Sequence, residues 1–167
     1  MAAEYQHVVH EFEPVFDERS RVLVLGSFPS VKSRQNDFYY GNAQNRFWRV
    51  MASCLQTDEP RTIEEKRAML LCGRIALWDV IAECDIKGSS DASIMNVVPV
   101  DIERVLAVAP IGHVVCNGGT AGRLYAKYLE KRVGLKATVL PSTSPANAAW
   151  MLERLQQCWR EVLGDML

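Results

Sequence analysis

One stretch decides the fold of this chain. It runs from Gly26 to Trp48 and reads GSFPSVKSRQNDFYYGNAQNRFW. Just before it, the apolar run Arg21–Leu25 stops at a glycine, which is typical of a buried strand in a parallel sheet. Just after it, apolar residues recur with the spacing of one helix face: Phe47, Val50, Met51, Cys54 and Leu55. A loop this long between a strand and a helix is uncommon and usually functional, and in α/β sheets ligands bind beyond the carboxyl ends of the strands. We therefore expect the functional site in this loop.

Three more short apolar runs follow along the chain, and each reads as a buried strand: Ile75–Trp78, His113–Cys116 and Thr138–Leu140. Helical patterns alternate with these runs, which predicts a parallel sheet with helices on both faces. The expected fold class is therefore α/β, a three-layer α/β/α arrangement with a central four-stranded parallel sheet. One domain accounts for residues 1–167, with residues 1–20 as a polar N-terminal lead-in.

Capping signals place the helices between these strands. Thr62 and Glu65 form a capping box that predicts a helix over 62–72. Asp101 is a suitable N-cap for a helix over 102–109, and a further helix fits 120–133. Ser144, followed by Pro145, predicts the start of the last helix. The segment around 95–99 is expected to be a loop.

The bulk composition is that of an ordinary globular protein: 167 residues, 49% hydrophobic and 23% charged. A net charge of −1 argues against a protein that coats nucleic acid non-specifically. No apolar run could span a bilayer and the N-terminus does not resemble a signal peptide, so we expect a cytoplasmic protein. The five cysteines form no CxxC pair. His7 and His10 would share one face of a helix, but two ligands make a weak metal site.

The loops after the four strands lack several well-known catalytic motifs. No GxxxxGK[ST] or GxGxxG segment is present to hold a nucleotide phosphate. Ser27 does not lie in a G-x-S-x-G elbow, and no histidine in these loops could activate it. Hydrolysis through a covalent acyl intermediate is therefore not expected.

These loops instead contain amides, aromatic rings and glycines. The asparagines at the expected mouth are Asn36, Asn42, Asn45, Asn117 and Asn147, and the nearby rings are Phe28, Phe38, Tyr39 and Tyr40. An amide can pair with the edge of a nucleobase, an aromatic face can stack on it, and a glycine lets the backbone approach it closely. Taken alone, each loop asparagine or tyrosine is better explained as a turn former or a surface cap, and Phe47 and Trp48 fit a helix core. Their convergence favours a pocket for a base flipped out of DNA.

At these residues the chain resembles the uracil-DNA glycosylase superfamily and, within it, the hypoxanthine-DNA (deoxyinosine) glycosylase family. The matching motifs are Gly26–Ser30 with Tyr39-Tyr40 and Asn45–Trp48, then Ala76–Val80, Asn117–Gly119 and Leu140–Ala148. The similarity extends from Arg21 to Trp159. The chain departs from the family pattern at Pro29-Ser30, where Pro-Gly is common, and at Asn42–Gln44, where a His-Pro step is common.

The resemblance implies monofunctional cleavage of an N-glycosidic bond in damaged DNA during base excision repair, without metal or cofactor, by a monomer. It implies catalytic roles for Asn45 and Asn117. The residues expected to bind the base are Gly26, Ser27, Phe28, Tyr40, Asp79 and Asn117. Those expected to contact DNA are Lys32, Arg34, Arg46, Ser142, Ser144, Pro145 and Asn147. The local charge pattern separately predicts a basic rim of Lys32, Arg34, Arg46 and Arg49, opposed by Asp37 alone.

Two chemical roles follow as hypotheses. Asn45 would orient the attacking water by accepting its hydrogen. The amide of Asn117 would pair with the edge of a deaminated base, a ring N–H beside a carbonyl, which hypoxanthine and uracil share. For Asp79, a catalytic role and a structural cap are both open, and for the wedge into DNA both Trp150 and Met151 are open.

The sequence leaves the preferred base open among hypoxanthine, uracil and xanthine. Two other functions also remain, a non-catalytic protein that binds DNA lesions and a hydrolase of free nucleosides or nucleotides. A plain interaction domain would not need asparagines and glycines at every strand end.

Overall fold

The computed structural model describes residues 4–167, and within them the chain forms seven strands and seven helices. The strands are β1 (Gln6–Val9), β2 (Val22–Gly26), β3 (Ile75–Asp79), β4 (Ile81–Ile86), β5 (Met95–Pro99), β6 (His113–Asn117) and β7 (Ala137–Leu140). The helices are α1 (Val31–Asn36), α2 (Phe47–Leu55), α3 (Ile63–Cys72), α4 (Glu103–Leu106), α5 (Gly119–Tyr128), α6 (Glu130–Val133) and α7 (Leu152–Met166). A 3₁₀ turn spans Asp91–Ser93.

The central sheet has the order β3-β2-β6-β7, and all of its strands are parallel. Every residue of β2 and β3 is buried, which is why both strands could be recognised as continuous apolar runs. Helix α3 packs against β3, α5 packs against β6 and β7, and α2 packs against α7. The predicted α/β/α arrangement with four parallel strands is confirmed.

A second sheet was not predicted. Strands β1, β4 and β5 form an antiparallel sheet in the order β1-β4-β5. The expectations of a polar lead-in over residues 1–20 and of a loop around 95–99 are therefore wrong in part, although residues 1–3 of that lead-in lie outside the described residues. Most side chains of β1 and β5 are exposed or half-buried, so neither strand shows an apolar run, and Asn96 interrupts β5 with a left-handed φ of 54°.

Helix α3 begins where its capping signal predicts. Thr62 accepts a hydrogen bond from the Glu65 backbone N–H at 3.1 Å, and the Glu65 carboxylate closes the capping box at the start of α3. Helix α2 buries Phe47 and Trp48, which confirms their assignment to the helix core. Gly134 ends α6 in the left-handed conformation, with φ 80°.

Three helix predictions need correction. Asp101 makes no side-chain cap, and α4 is a single turn, Glu103–Leu106. The helix expected over 120–133 is divided at Leu129, whose φ is −123°. The last helix starts at Leu152 rather than after Ser144, because the intervening segment is folded into turns such as the Asn147 N–H to Ser144 carbonyl bond.

Candidate active site

A cavity of about 350 Å³ lies at the carboxyl ends of the parallel strands. Its walls include the last residues of β2, β3 and β6, which are Gly26, Asp79 and Asn117, and the loop that follows β7. Most residues predicted from sequence line it: Gly26, Ser27, Phe28, Lys32, Tyr40, Asn45, Asp79, Asn117, Ser142, Ser144 and Pro145. Arg34, Arg46 and Asn147 do not line it. A larger surface groove of about 890 Å³ lies along α3 and contains none of these residues.

Gly26 allows the floor of this cavity to form. In the parallel register Gly26 lies opposite Asp79. A Cβ on Gly26 would come within 2.4 Å of Asp79 Oδ1 and 2.9 Å of the Tyr40 hydroxyl oxygen, which is closer than real atoms approach. Only glycine therefore lets the carboxylate and the phenol lie side by side at this point.

Tyr40 is fixed by stacking and by an unusual backbone conformation. Its ring lies 4.1 Å from the ring of Phe47, with an angle of 26° between the planes. Its backbone φ is 52°, a left-handed value that is uncommon for an aromatic residue. Burial, and next the nearby Asp79 carboxylate, raises the pKa of Tyr40 well above its ordinary range. The hydroxyl therefore keeps its proton and can act as a hydrogen-bond donor.

A chain of side-chain hydrogen bonds joins the two predicted catalytic asparagines through Thr143. The Thr143 hydroxyl donates to Asn45 Oδ1 at 2.8 Å, and the Thr143 backbone N–H donates to Asn117 Oδ1 at 3.0 Å. Asn117 Nδ2 donates to the Thr143 hydroxyl at 3.0 Å and to the Tyr40 hydroxyl at 3.2 Å. Thr143 is fully buried and was missed from sequence, although it lies inside the matched motif after β7.

These contacts change what Asn45 can do. Besides the Thr143 bond, Asn45 Oδ1 accepts the backbone N–H of Phe47 at 2.9 Å, so both of its lone pairs are engaged. Because a backbone N–H can only donate, this contact also identifies which amide atom is the oxygen. The hypothesis that this oxygen accepts a hydrogen from water does not fit the geometry. The Nδ2 group of Asn45 has no protein acceptor among residues 4–167, so Asn45 can present a donor.

The structure reveals a histidine beneath the cavity that the sequence reasoning did not identify. His10 Nε2 lies 2.9 Å from Asp79 Oδ2, and the two side chains are 2% and 5% exposed. The ring packs against Phe12, Tyr39 and Phe28, with centroid separations of 4.4, 5.8 and 6.1 Å. His10 follows β1, and its partner is 69 residues away in sequence. Only the unpredicted pairing of β1 with β4 brings it here.

Two predicted phosphate contacts are engaged within the protein. The Arg46 guanidinium donates to main-chain carbonyls of the loop after β7: Thr143 at 3.3 Å, Ser144 at 2.8 Å, Asn147 at 3.2 Å, and Trp150. Arg34 donates to the Gly88 carbonyl at 3.1 Å and lies over the Phe28 ring. Arg46 is therefore not free to bind a phosphate in this arrangement. Arg34 does not line the cavity, and its Nη1 atom is buried without a hydrogen-bond partner among residues 4–167. Lys32, by contrast, is exposed at the cavity.

The loop after β7, residues 141–151, forms one wall of the cavity. Ser142 accepts the Ser144 backbone N–H at 3.1 Å, and the Asn147 side chain donates to the Ser142 carbonyl at 3.0 Å. Pro145 is exposed, and Met151, one of the two candidates for the wedge into DNA, is 71% exposed. Ser144 and Pro145 therefore belong to a turn rather than to a helix N-terminus.

Asp91 is a further lining residue that sequence reasoning missed. Its carboxylate accepts the Ser27 hydroxyl at 3.0 Å from the short turn after β4. Partial burial of this carboxylate raises the pKa of Asp91 above its ordinary value. Among residues 4–167, no three His, Cys, Asp or Glu side chains converge as metal ligands would. Over the same residues, no helix has both the length and the apolar character needed to cross a membrane.

Comparison with known proteins agrees with this architecture. The model of the uracil DNA glycosylase superfamily matches residues 13–163. Proteins named hypoxanthine DNA glycosylase from Methanosarcina acetivorans and Methanosarcina barkeri are 32% and 30% identical over 152 residues, covering 90% of this chain and 95% and 94% of theirs. The solution NMR structure of an M. acetivorans protein, described provisionally as a uracil DNA glycosylase, superposes with a TM-score of 0.76 at 32% identity, covering 91% of this chain and 96% of that one.

Proposed function

The chain belongs to the uracil DNA glycosylase superfamily, and we propose that it is a monofunctional DNA glycosylase that removes deaminated bases, hypoxanthine foremost, in base excision repair. The proposal takes residues 1–167 as one domain that acts as a monomer on damaged DNA without a cofactor. One contiguous hydrophobic core that includes residues of both sheets supports the single domain. A cytoplasmic location remains a prediction.

One observation carries the proposal: the cavity at the strand ends combines the size of a base pocket with amide, hydroxyl, carboxylate and aromatic groups in its walls. At about 350 Å³ it lies at the small end of ligand pockets. A base must leave the duplex stack before its glycosidic bond can be reached, and it is then recognised by hydrogen bonds and stacking. Phe28 supplies an aromatic face and Tyr40 supplies a hydroxyl for such contacts.

The reaction requires little covalent chemistry from the protein. Cleavage of the bond between deoxyribose and base produces an oxocarbenium-like sugar and an electron-rich leaving base. Preorganised dipoles that face the developing charge lower the barrier. The Asn45 Nδ2 group, fixed by the two bonds to its oxygen, can donate to the attacking water or to the sugar. The Asp79 carboxylate, in turn, can stabilise positive charge that develops nearby.

Contact with DNA is local in this proposal. Lys32 offers an exposed cation beside the cavity, and the loop after β7 brings Ser142, Ser144 and Pro145 to its wall. With a net charge of −1, the chain has no general attraction for the DNA backbone. We therefore expect binding to depend on the extruded base and to weaken only moderately with salt.

The test uses end-labelled duplexes that carry a single hypoxanthine, uracil, xanthine or mismatched thymine. Strand breaks that appear only after alkali treatment, and that are lost in Asn45→Ala, would support a monofunctional glycosylase and identify its base. Asn36→Ala is the matched control, because Asn36 ends α1 and does not line the cavity. Binding of the duplexes without breaks would favour a lesion-binding protein, and faster hydrolysis of free deoxyinosine would favour a nucleoside hydrolase.

A further inference from the structure

Two polar groups at the cavity floor have unused hydrogen-bonding capacity. Asp79 Oδ1 accepts no hydrogen bond from any residue of the range 4–167, while Oδ2 of the same carboxylate is bound to His10. The Tyr40 hydroxyl accepts from Asn117, and its own hydrogen has no acceptor within that range. Both atoms lie within 3 Å of the position that a Cβ on Gly26 would occupy, at 2.4 and 2.9 Å. An acceptor and a donor therefore face the same small volume.

Asn117, by contrast, has little left to offer a base. Its Nδ2 donates to Tyr40 and to Thr143, and its Oδ1 accepts the Thr143 N–H. Both amide hydrogens are thus used inside the protein. To pair with a base, Asn117 would have to break at least one of these bonds. The hypothesis that Asn117 reads the deaminated edge is therefore not supported by the geometry. Its amide instead orients the Tyr40 hydroxyl.

We propose that the Tyr40 hydroxyl and the Asp79 carboxylate form the donor–acceptor pair that recognises a deaminated base. Hypoxanthine, xanthine and uracil all present a carbonyl oxygen next to a ring N–H. Tyr40 would donate to the carbonyl and Asp79 Oδ1 would accept the ring N–H. Adenine and cytosine present an amino donor next to a ring nitrogen acceptor, so both contacts would face the wrong partner. The inference rests on the proposed glycosylase function and specifies its substrate class.

His10 is the positioning residue for this pair. An ionised carboxylate only accepts hydrogen bonds, so the contact with Asp79 requires the hydrogen of His10 to be on Nε2. His10 Nδ1 is buried and has no hydrogen-bond partner among the described residues, so within them the imidazole makes one polar contact inside its aromatic cage. Because His10 holds Oδ2, the other carboxylate oxygen is left beside Gly26 and Tyr40.

The test compares single-turnover cleavage of hypoxanthine with that of unsubstituted purine, placed at the same position in one duplex. Purine has no carbonyl, and its ring nitrogen accepts rather than donates. The measured quantity is the ratio of the two rate constants, because a change in stability or in general electrostatics lowers both rates together. We expect the wild-type protein to prefer hypoxanthine.

In Asp79→Asn, the His10 N–H still requires an oxygen, so the new NH₂ group would face the base. We expect the hypoxanthine-to-purine ratio to fall by about tenfold to a hundredfold. Tyr40→Phe should lower the ratio by a similar factor. Tyr125→Phe is the matched control, since the Tyr125 hydroxyl is bonded to the Leu135 carbonyl at 2.6 Å, outside the site, and its loss should leave the ratio unchanged.

His10 is tested by a rescue. His10→Phe fills the aromatic cage but removes the hydrogen-bond donor, so the hypoxanthine-to-purine ratio should fall. His10→Gln can donate an N–H to Asp79 Oδ2 and should therefore recover part of the lost ratio. Ratios that stay at the wild-type value in both Asp79→Asn and Tyr40→Phe would overturn this inference and leave the glycosylase function intact. No cleavage of hypoxanthine by the wild-type protein would overturn the proposed function itself.

The wild-type protein provides a measurement that does not depend on the folding of any variant. A duplex carrying 1-methylhypoxanthine keeps the carbonyl but replaces the ring N–H with a methyl group. The inference expects this base to be cleaved at least tenfold more slowly than hypoxanthine. Equal rates for the two bases would contradict a role for Asp79 as the acceptor.

Discussion

Two histidine–aspartate pairs lie close together in the chain and have opposite surroundings. His7 Nδ1 contacts Asp85 Oδ1 at 2.8 Å, with side-chain exposures of 55% and 29%. His10 Nε2 contacts Asp79 Oδ2 at 2.9 Å, with exposures of 2% and 5%. Residues three positions apart in an extended chain point to opposite faces, so one histidine reaches solvent and the other reaches the cavity floor. A helix would have put both on one face, which is why the metal pair considered from sequence does not form.

The two pairs have nearly the same contact distance but differ in exposure to solvent. The distance between a histidine and an aspartate therefore does not by itself show what the pair contributes. In the exposed pair, the hydrogen bond with Asp85 raises the pKa of His7. Bonds from Asn96 first, and then from His7, lower the pKa of Asp85. Water competes for such groups, and exposed pairs contribute little to stability. The buried pair is 2% and 5% exposed, so water replaces a lost partner less readily and its members depend more on each other.

The largest difference between the pairs is expected from removal of the two carboxylates. Asp79→Ala deprives the cavity of its acceptor and leaves the His10 N–H buried without a partner. We expect hypoxanthine cleavage to fall at least a hundredfold and the free energy of unfolding to drop by about 1–3 kcal/mol. Asp85→Ala should leave the cleavage rate within about twofold. Single-turnover rates and denaturant unfolding check both, and equal losses in the two variants would contradict a special role for the buried pair.

The second prediction displaces the buried carboxylate without altering either member of the pair. Gly26→Ala places a methyl group against Asp79 Oδ1 and the Tyr40 hydroxyl, so we expect at least a tenfold loss of cleavage rate. Gly164→Ala is the matched control, because beyond its own helix backbone no described residue has an atom within 4 Å of its Cβ position. Its unfolding free energy should rise by about 0.5–1 kcal/mol, since alanine favours a helix over glycine. If Gly26→Ala cleaved hypoxanthine at the wild-type rate, Asp79 and Tyr40 could move away from the added methyl group without loss of activity.

The third prediction compares the two histidines by stability. His10→Ala leaves a cavity inside the ring cage of Phe12, Phe28 and Tyr39 and frees Asp79 Oδ2. We expect the free energy of unfolding to decrease by about 2–4 kcal/mol. His7→Ala should change it far less, because its ring is exposed. Urea unfolding of both variants is the measurement, and a similar loss in both would indicate that the aromatic cage contributes little.

The smallest expected effect is the pH dependence of the stability that the exposed pair, His7 and Asp85, contributes to the fold. A raised His7 pKa stabilises the fold below about pH 6.5, and this contribution disappears as the pH rises through the folded-state value. A lowered Asp85 pKa stabilises the fold above about pH 4, and this contribution disappears as the pH falls through its folded-state value. The difference in Tm between wild type and His7→Gln should therefore be largest near pH 5 and shrink at pH 8. A difference that grows toward pH 8 would have the wrong sign.

The sequence predicted the central sheet because burial is nearly complete there. Residues Val22–Gly26 and Ile75–Asp79 are buried throughout, and such strands show as unbroken apolar runs. The same logic fails for edge strands such as β1, whose side chains are largely exposed. Local capping chemistry worked at Thr62 and failed at Ser144. The segment after Ser144 is held from a distance by Arg46, whose partner carbonyls are about a hundred positions away.

The candidate site was predicted at the level of loops rather than of individual contacts. Parallel strands bring their carboxyl ends to one edge, so the sequence pattern alone groups Gly26, Asp79 and Asn117. Which atoms are free could not be inferred, since this depends on partners distant in sequence. Thr143 occupies both the Asn45 oxygen and the Asn117 amide, and His10 occupies one Asp79 oxygen.

The contacts of Arg46 have a consequence for how this cavity can change over time. Its guanidinium binds only main-chain oxygens of the loop after β7, at Thr143, Ser144, Asn147 and Trp150. Every amino acid carries such an oxygen, so the loop can exchange many of its side chains while its path is preserved. Inherited variation and laboratory libraries can therefore change side chains of the wall that is proposed to contact DNA, at positions such as Pro145 and Ala146, without altering the rest of the cavity.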